Sequence, residues 1–84
     1  MSYIKIQHFA KSSSGLTDIY EVTVNNSTSL FTILGRIAWK GTWRKYCFYP
    51  SDDTVFDAQC LQKILLFCTD KTLEHKTKDI MESL

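Results

Sequence analysis

The sequence predicts an α+β fold: a four-stranded antiparallel meander, closing on a hairpin, followed by a C-terminal helix packed on one sheet face. Three observations predict it: alternating apolar segments in the first fifty residues, one apolar stripe at helical spacing after them, and a short chain. With 84 residues the chain has room for one domain, and its 44% apolar content excludes intrinsic disorder. One helix over one sheet is the simplest way to bury both apolar surfaces.

Four segments alternate in the manner of strands, and they span residues 3–9, 18–24, 34–39 and 43–49. Residues 12–15 and 25–28 are rich in Ser, Gly, Asn and Thr, which favour turns. The pattern leaves residues 30–32 open between strand and loop. Gly41 lies in the short loop of the hairpin and is expected to take a positive φ. Pro50 should end the last strand, because proline cannot donate to a ladder.

The helix prediction covers residues 57–69. Asp57 is a good N-cap, and one apolar stripe follows it at helical spacing: Ala58, Leu61, Ile64, Leu65 and Cys68. We expect Leu61, Ile64, Leu65 and Cys68 to be buried against the sheet. Residues 71–84 are mostly polar, so they predict a second short helix or a solvated, fraying extension.

The net charge of +1 is unevenly distributed along the chain. Residues 22–51 contain no Asp or Glu and four cations, whereas residues 52–84 contain seven acids and four lysines. The basic middle is either a local anion-attracting patch or an uneven distribution beside a solvated acidic helix.

Three cysteines, Cys47, Cys60 and Cys68, form no CxxC pair and cannot all pair within one chain. They predict free thiols in a reducing cytoplasm and no zinc site. The longest apolar run, residues 64–68, is far below the roughly 18–20 residues of a membrane span, and the alternating N-terminus is unlike a signal peptide.

Residues 36–49 form the densest cluster, with five aromatic residues and four cations. Both faces of this predicted hairpin carry large side chains, and one helix can cover only one face. Some aromatics should therefore be partly exposed or covered by another chain, such as a second copy in a homodimer. The candidate partner-binding residues are Arg36, Trp39, Lys40, Trp43, Arg44, Lys45 and Tyr46.

Three interpretations of this cluster stay open. It can be sheet core with solvated cross-strand charges, a protein interface rich in Trp, Tyr and Arg, or a nucleotide site in which rings stack bases and cations bind phosphates. We expect Arg36 and Arg44 to lie close, either across the ladder or along its diagonal according to the register, with no acid nearby in sequence to neutralise them. A partner carboxylate or phosphate would relieve that repulsion.

The same segment resembles a set of very short, uncharacterised bacteriophage proteins. The resemblance covers residues 34–68 and lies in four stretches: Gly35-x-Ile37-x-Trp39, then Trp43-Arg44-x-Tyr46-x-Phe48-x-Pro50, then Thr54-x-Phe56, then Cys60-Leu61-x-x-Ile64-x-x-Phe67. It implies a small accessory protein made inside an infected bacterium, and it brings no catalytic residues.

Catalysis is not expected, because no nucleophile has a recognisable base and no phosphate loop or metal-ligand pattern is present in the sequence. Asp52 and Asp53 indicate a solvated turn, His8 a core or edge histidine, and His75 a solvent-facing side chain. We therefore expect a non-enzymatic, cofactor-free protein of the host cytoplasm that binds and inhibits or redirects a host or defence protein. The alternatives are a protein sequestering nucleotides or single-stranded nucleic acid through the hairpin, and an assembly subunit.

Overall fold

A computed structural model describes residues 4–25 and 31–82, and it has the predicted α+β architecture. Four antiparallel strands lie in the order β1-β2-β3-β4 and are followed by a single helix. The elements are β1 (Ile4–Lys11), β2 (Asp18–Asn25), β3 (Phe31–Lys40), β4 (Lys45–Pro50) and α1 (Ala58–Glu82). Sequence predictions also fell on Tyr3, on residues 26–28 of the predicted turn, on Leu30 and on residues 83–84, which lie outside the described residues.

Two bulges distinguish the strands from simple alternation. In β1 the register shifts between His8 and Ala10, so Phe9 is the extra residue and the strand runs on to Lys11. In β3 the shift makes Leu34 the extra residue between Ile33, which pairs with Thr23, and Gly35. The second bulge lets Leu34 join the buried cluster although it lies at an odd spacing from the other core residues of β3.

Gly35 is required beside this bulge. A Cβ there would lie 2.4 Å from the backbone oxygen of Tyr49 and 2.7 Å from the ring of Phe48. The ring of Phe48 covers the space above the glycine and also packs on Phe56, with ring centroids 5.3 Å apart. The close approach ties β3 to β4 and to the segment leading into the helix.

The core lies between the sheet and α1, and only one predicted helix residue is fully buried in it. The buried cluster contains Ile4, Val22, Leu34, Ile37, Tyr46 and Ile64. Ile64 is 4% exposed, but Leu61 and Leu65 are 50% and 61% exposed, so the prediction that both are buried is wrong. Cys68 is half-buried.

The helix is rotated relative to the predicted stripe, because Cys60, Phe67 and Cys68 pack against the core beside Ile64. Apolar residues cover more than half of the helix circumference between residues 60 and 68. Spacing alone therefore could not select which half of that arc faces the sheet. Phe67 decides the rotation by packing on Tyr20, with ring centroids 4.8 Å apart.

The helix begins as predicted and continues without a break to Glu82. Asp57 Oδ1 accepts the Cys60 N–H at 2.8 Å, and this bond lowers the pKa of Asp57. The sequence left residues 71–84 open between a second helix and a solvated extension. As far as the structure describes them they extend α1, and this part also contacts the sheet, since Thr72 Oγ1 accepts the N–H of Tyr46 at 2.9 Å. Within the described residues, no helix is long and apolar enough to cross a membrane.

Candidate functional site

The hairpin turn projects beyond the sheet at the end where Lys40 pairs with Lys45. Residues 41–44 form the turn, so β4 begins two residues later than the predicted start at Trp43. Lys40 O accepts the N–H groups of Trp43 and Arg44 at 3.1 and 2.8 Å. Arg44 has a φ of 55°, whereas Gly41 does not take the positive φ predicted for it. The αL residue closes the four-residue turn at its far end.

This geometry leaves Trp43 exposed. Its side chain is 61% exposed, and Lys40 Nζ lies 4.9 Å from the centroid of its ring. Arg44 and Lys45 beside it are also exposed. We call Lys40, Trp43, Arg44 and Lys45 the hairpin tip.

Trp39 and Tyr46, two further candidate residues, lie on the opposite side of the hairpin and pack under the helix. Their ring centroids are 5.5 Å apart, and the ring centroid of Trp39 lies 4.3 Å from that of His75 on the helix. Tyr46 is 6% exposed, and its Oη accepts the Asp18 N–H at 3.3 Å. His75 is thus half-buried against Trp39 rather than solvent-facing as predicted.

Arg36 is separated from the tip and lies on the sheet face that the helix does not cover. It pairs with Tyr49 across the ladder, so the expected proximity to Arg44 is wrong. Its guanidinium lies 4.3 Å from the centroid of the Phe9 ring, and Nη2 lies 3.9 Å from Glu21 Oε2. Arg36 therefore has a neutralising acid, although none lies near it in sequence. The acid comes from β2, far away in sequence, where Glu21 is its register partner.

A cleft of about 460 Å³ lies between the β1–β2 loop and the second half of α1. Sequence reasoning missed it. The residues lining it are Lys11, Gly15, Leu16, Asp18, Tyr20, Tyr46, Lys71, Glu74, His75 and Lys78. The spacing of Lys71, His75 and Lys78 places them on one helix face, and this was the feature of the sequence that could have indicated the helix wall of the cleft. The opposite wall comes from sheet pairing that no local pattern specifies.

Ion pairs organise both walls of this cleft. Asp18 Oδ1 lies 3.0 Å from Lys11 Nζ and 2.9 Å from His8 Nε2. Hydrogen bonds from Lys11 and then His8 lower the pKa of Asp18, and the same contact raises the pKa of Lys11. On the helix, Glu74 lies 3.1 Å from Lys71 and raises its pKa.

A second exposed surface is apolar and lies on the side of α1 that faces away from the sheet. Four leucines there are at least half exposed: Leu61, Leu65, Leu66 and Leu73. We call them the leucine flank. Apolar exposure of this extent on one helix is typical of a surface that another protein covers.

The three cysteines form no disulfide in the part of the chain that the structure describes. Cys47, Cys60 and Cys68 are free, and burial raises the pKa of the Cys68 thiol to about 11. Such a thiol is a poor nucleophile at neutral pH. Among residues 4–25 and 31–82, no group of three His, Cys, Asp or Glu side chains is placed to hold a metal ion.

No protein-family model, curated protein or solved structure matches this chain. The candidate surfaces are therefore compared by their own geometry. The hairpin tip combines an exposed indole with three cations, the leucine flank is apolar, and the cleft is lined largely by charged groups.

Proposed function

We propose that this protein is a non-enzymatic accessory protein that binds a host or defence protein in the cytoplasm of an infected bacterium and inhibits or redirects it. The observation that carries the proposal is the exposed Trp43 at the hairpin tip, flanked by Lys40 and Arg44. The resemblance of residues 34–68 to short bacteriophage proteins supplies the setting.

The tip has the physical properties of an interface anchor. Tryptophan and arginine are enriched at hot spots because they bury a large area and keep a polar group at the edge. The backbone bonds to Lys40 O fix the turn before a partner arrives, so little conformational entropy remains to be lost on binding. A partner with an apolar slot rimmed by carboxylates would fit Trp43 and the neighbouring cations.

The leucine flank is a second candidate interface, because its exposed apolar side chains are suited to contact with protein and not with phosphates or bases. We assign to this flank the homodimer expected from the sequence. Leucines along one long helix can pair with the same residues of a second copy in an isologous contact. Sedimentation at micromolar concentration should give a dimer for the wild type and a monomer for Leu65→Asp. A monomeric wild type would contradict this assignment.

A nucleotide or single-stranded nucleic acid is the second candidate, because the exposed Trp43 ring could stack a base while Arg44 and Lys45 bind phosphates. That function predicts quenching of tryptophan fluorescence by oligonucleotides, with the effect weakening as salt rises. A protein-binding tip predicts no quenching.

The direct test is affinity capture from bacterial lysate with mass spectrometry, run in parallel with wild type, Trp43→Ala and Val55→Ala. Val55 is 89% exposed and lies before α1, away from the tip, so its variant is a matched loss of apolar surface. We expect one protein to be retained by wild type and Val55→Ala and lost by Trp43→Ala. Equal retention by all three would reject the tip as the binding site.

A further inference from the structure

We propose that the cleft between the β1–β2 loop and α1 binds a small organic phosphate. The site is distinct from the hairpin tip and goes beyond the binding function proposed for it. Three ammonium groups would bind the phosphate. That of Lys11 comes from β1, and those of Lys71 and Lys78 come from α1.

The supply of hydrogen-bond donors exceeds what the neighbouring acids use. Each ammonium carries three donors, and a carboxylate approaches Lys11 and Lys71 at 3.0 and 3.1 Å, respectively. Each of these lysines therefore keeps donors for a second anion. No carboxylate whose side chain the structure describes pairs with Lys78, which is exposed at the end of the same wall.

The two acids of the cleft are already neutralised by these and other contacts. Asp18 accepts from both Lys11 and His8, and Glu74 is paired with Lys71. An incoming phosphate would therefore meet bridged carboxylates rather than free ones. Charge-assisted bonds from ammonium groups to phosphate are among the stronger hydrogen bonds in proteins.

Tyrosines complete the polar lining. Tyr46 Oη accepts the Asp18 N–H, so its own hydrogen can be donated toward the cleft. Tyr20 also lines the cleft, and its hydroxyl, which like that of any tyrosine is protonated at neutral pH, adds a second donor.

The size and the mouth of the cleft favour an organic phosphate over inorganic phosphate. A volume of about 460 Å³ is within the roughly 300–1,000 Å³ typical of small-ligand sites and is larger than one phosphate needs. Leu16 lines the cleft and is 80% exposed, so the carbon skeleton of a ligand would cover it.

The test is isothermal titration calorimetry at constant ionic strength, with ribose 5-phosphate, pyrophosphate and sulfate as probes. We expect ribose 5-phosphate to bind at least about tenfold more tightly than sulfate and more tightly than pyrophosphate. Equal binding of ribose 5-phosphate and pyrophosphate would show that charge alone is recognised and would overturn the organic-phosphate assignment. If none of the three probes binds at millimolar concentration, the proposal that the cleft is a phosphate site is wrong.

A pair of helix variants locates the binding. Lys78→Gln should weaken ribose 5-phosphate binding about tenfold, whereas Lys76→Gln, two residues away and outside the cleft lining, should change it less than about twofold. Equal effects would reject the cleft as the site. Trp43→Ala should leave phosphate binding unchanged, so failure of this inference and failure of the hairpin-tip proposal are distinguishable. Circular dichroism and melting confirm that each variant is folded.

Discussion

Trp39 and Trp43 lie four residues apart in one hairpin and have opposite environments. Trp39 is half-buried, 5.5 Å from Tyr46 and 4.3 Å from His75 between ring centroids, so it joins the hairpin to the helix. Trp43 lies in the turn, 61% exposed, where no sheet residue is its register partner. The comparison shows that a cluster of aromatic and basic residues in sequence can divide into a structural part and a surface part.

The largest expected effect tests the structural part at the helix. Ile64→Ala should lower the free energy of unfolding by roughly 2–5 kcal/mol, because it removes a buried side chain from the core under the hairpin. Leu65→Ala should cost less than about 1 kcal/mol, since Leu65 is on the leucine flank. Urea denaturation of the protein diluted until it is monomeric measures both, so that a dimer contact through the leucine flank does not contribute. A larger loss for Leu65→Ala would show that the helix is rotated toward the stripe predicted from sequence.

The two tryptophans themselves give the next contrast. Trp39→Ala should cost about 3 kcal/mol, the lower end of the range for aromatic-to-alanine changes in cores, because the side chain is half-buried. Trp43→Ala should alter unfolding by no more than about 0.5 kcal/mol. Similar losses of unfolding free energy for both variants would contradict the division of the hairpin into a structural part at Trp39 and a surface part at Trp43.

Arg44 sharpens the comparison at the tip because its backbone has a φ of 55°. A residue other than glycine costs about 1–2 kcal/mol in the left-handed region, so Arg44→Gly should be about 1 kcal/mol more stable than Arg44→Ala. Both variants remove the guanidinium. Thermal melting of the pair separates backbone strain from charge, and a less stable Arg44→Gly would exclude the left-handed turn.

The smallest expected effect concerns pH and the ion pairs at the cleft. Contacts with Lys11 and then His8 lower the pKa of Asp18 below its ordinary value of 3.8. Asp18 therefore adds stability above about pH 4, and this contribution is lost as the pH falls through the lowered value. The melting temperature of wild type should exceed that of Asp18→Asn at pH 7, and the difference should shrink at pH 3. A difference independent of pH would rule out this linkage.

Local patterns predicted the elements of this fold well. Alternation located the strands, and Asp57 marked the start of the helix, because both depend on neighbouring residues alone. The bulge at Leu34 and the side of α1 that packs on the sheet depend on volumes contributed by other elements, such as Gly35 and Phe67. Those could not be predicted from periodicity.

The surfaces were less predictable for the same reason. The sequence named Trp43 as a candidate site residue, but it placed Trp43 in the last strand rather than in the turn that exposes it. Glu21 reaches Arg36 only through strand pairing, and the cleft forms only where the β1–β2 loop meets the distant half of α1. The register between strands that are distant in sequence, unlike the residues that favour a turn, cannot be predicted from any short segment.

The most direct test of the hairpin tip uses any protein that the wild type captures from lysate: its affinity for purified variants is measured beside their thermal melting. Trp43→Ala and Arg44→Ala should each weaken binding by roughly 2 kcal/mol or more while melting stays close to wild type. Val55→Ala should change neither quantity. Wild-type affinity in Trp43→Ala and Arg44→Ala, with the fold intact, would contradict the proposal that this protein binds its partner through the hairpin tip.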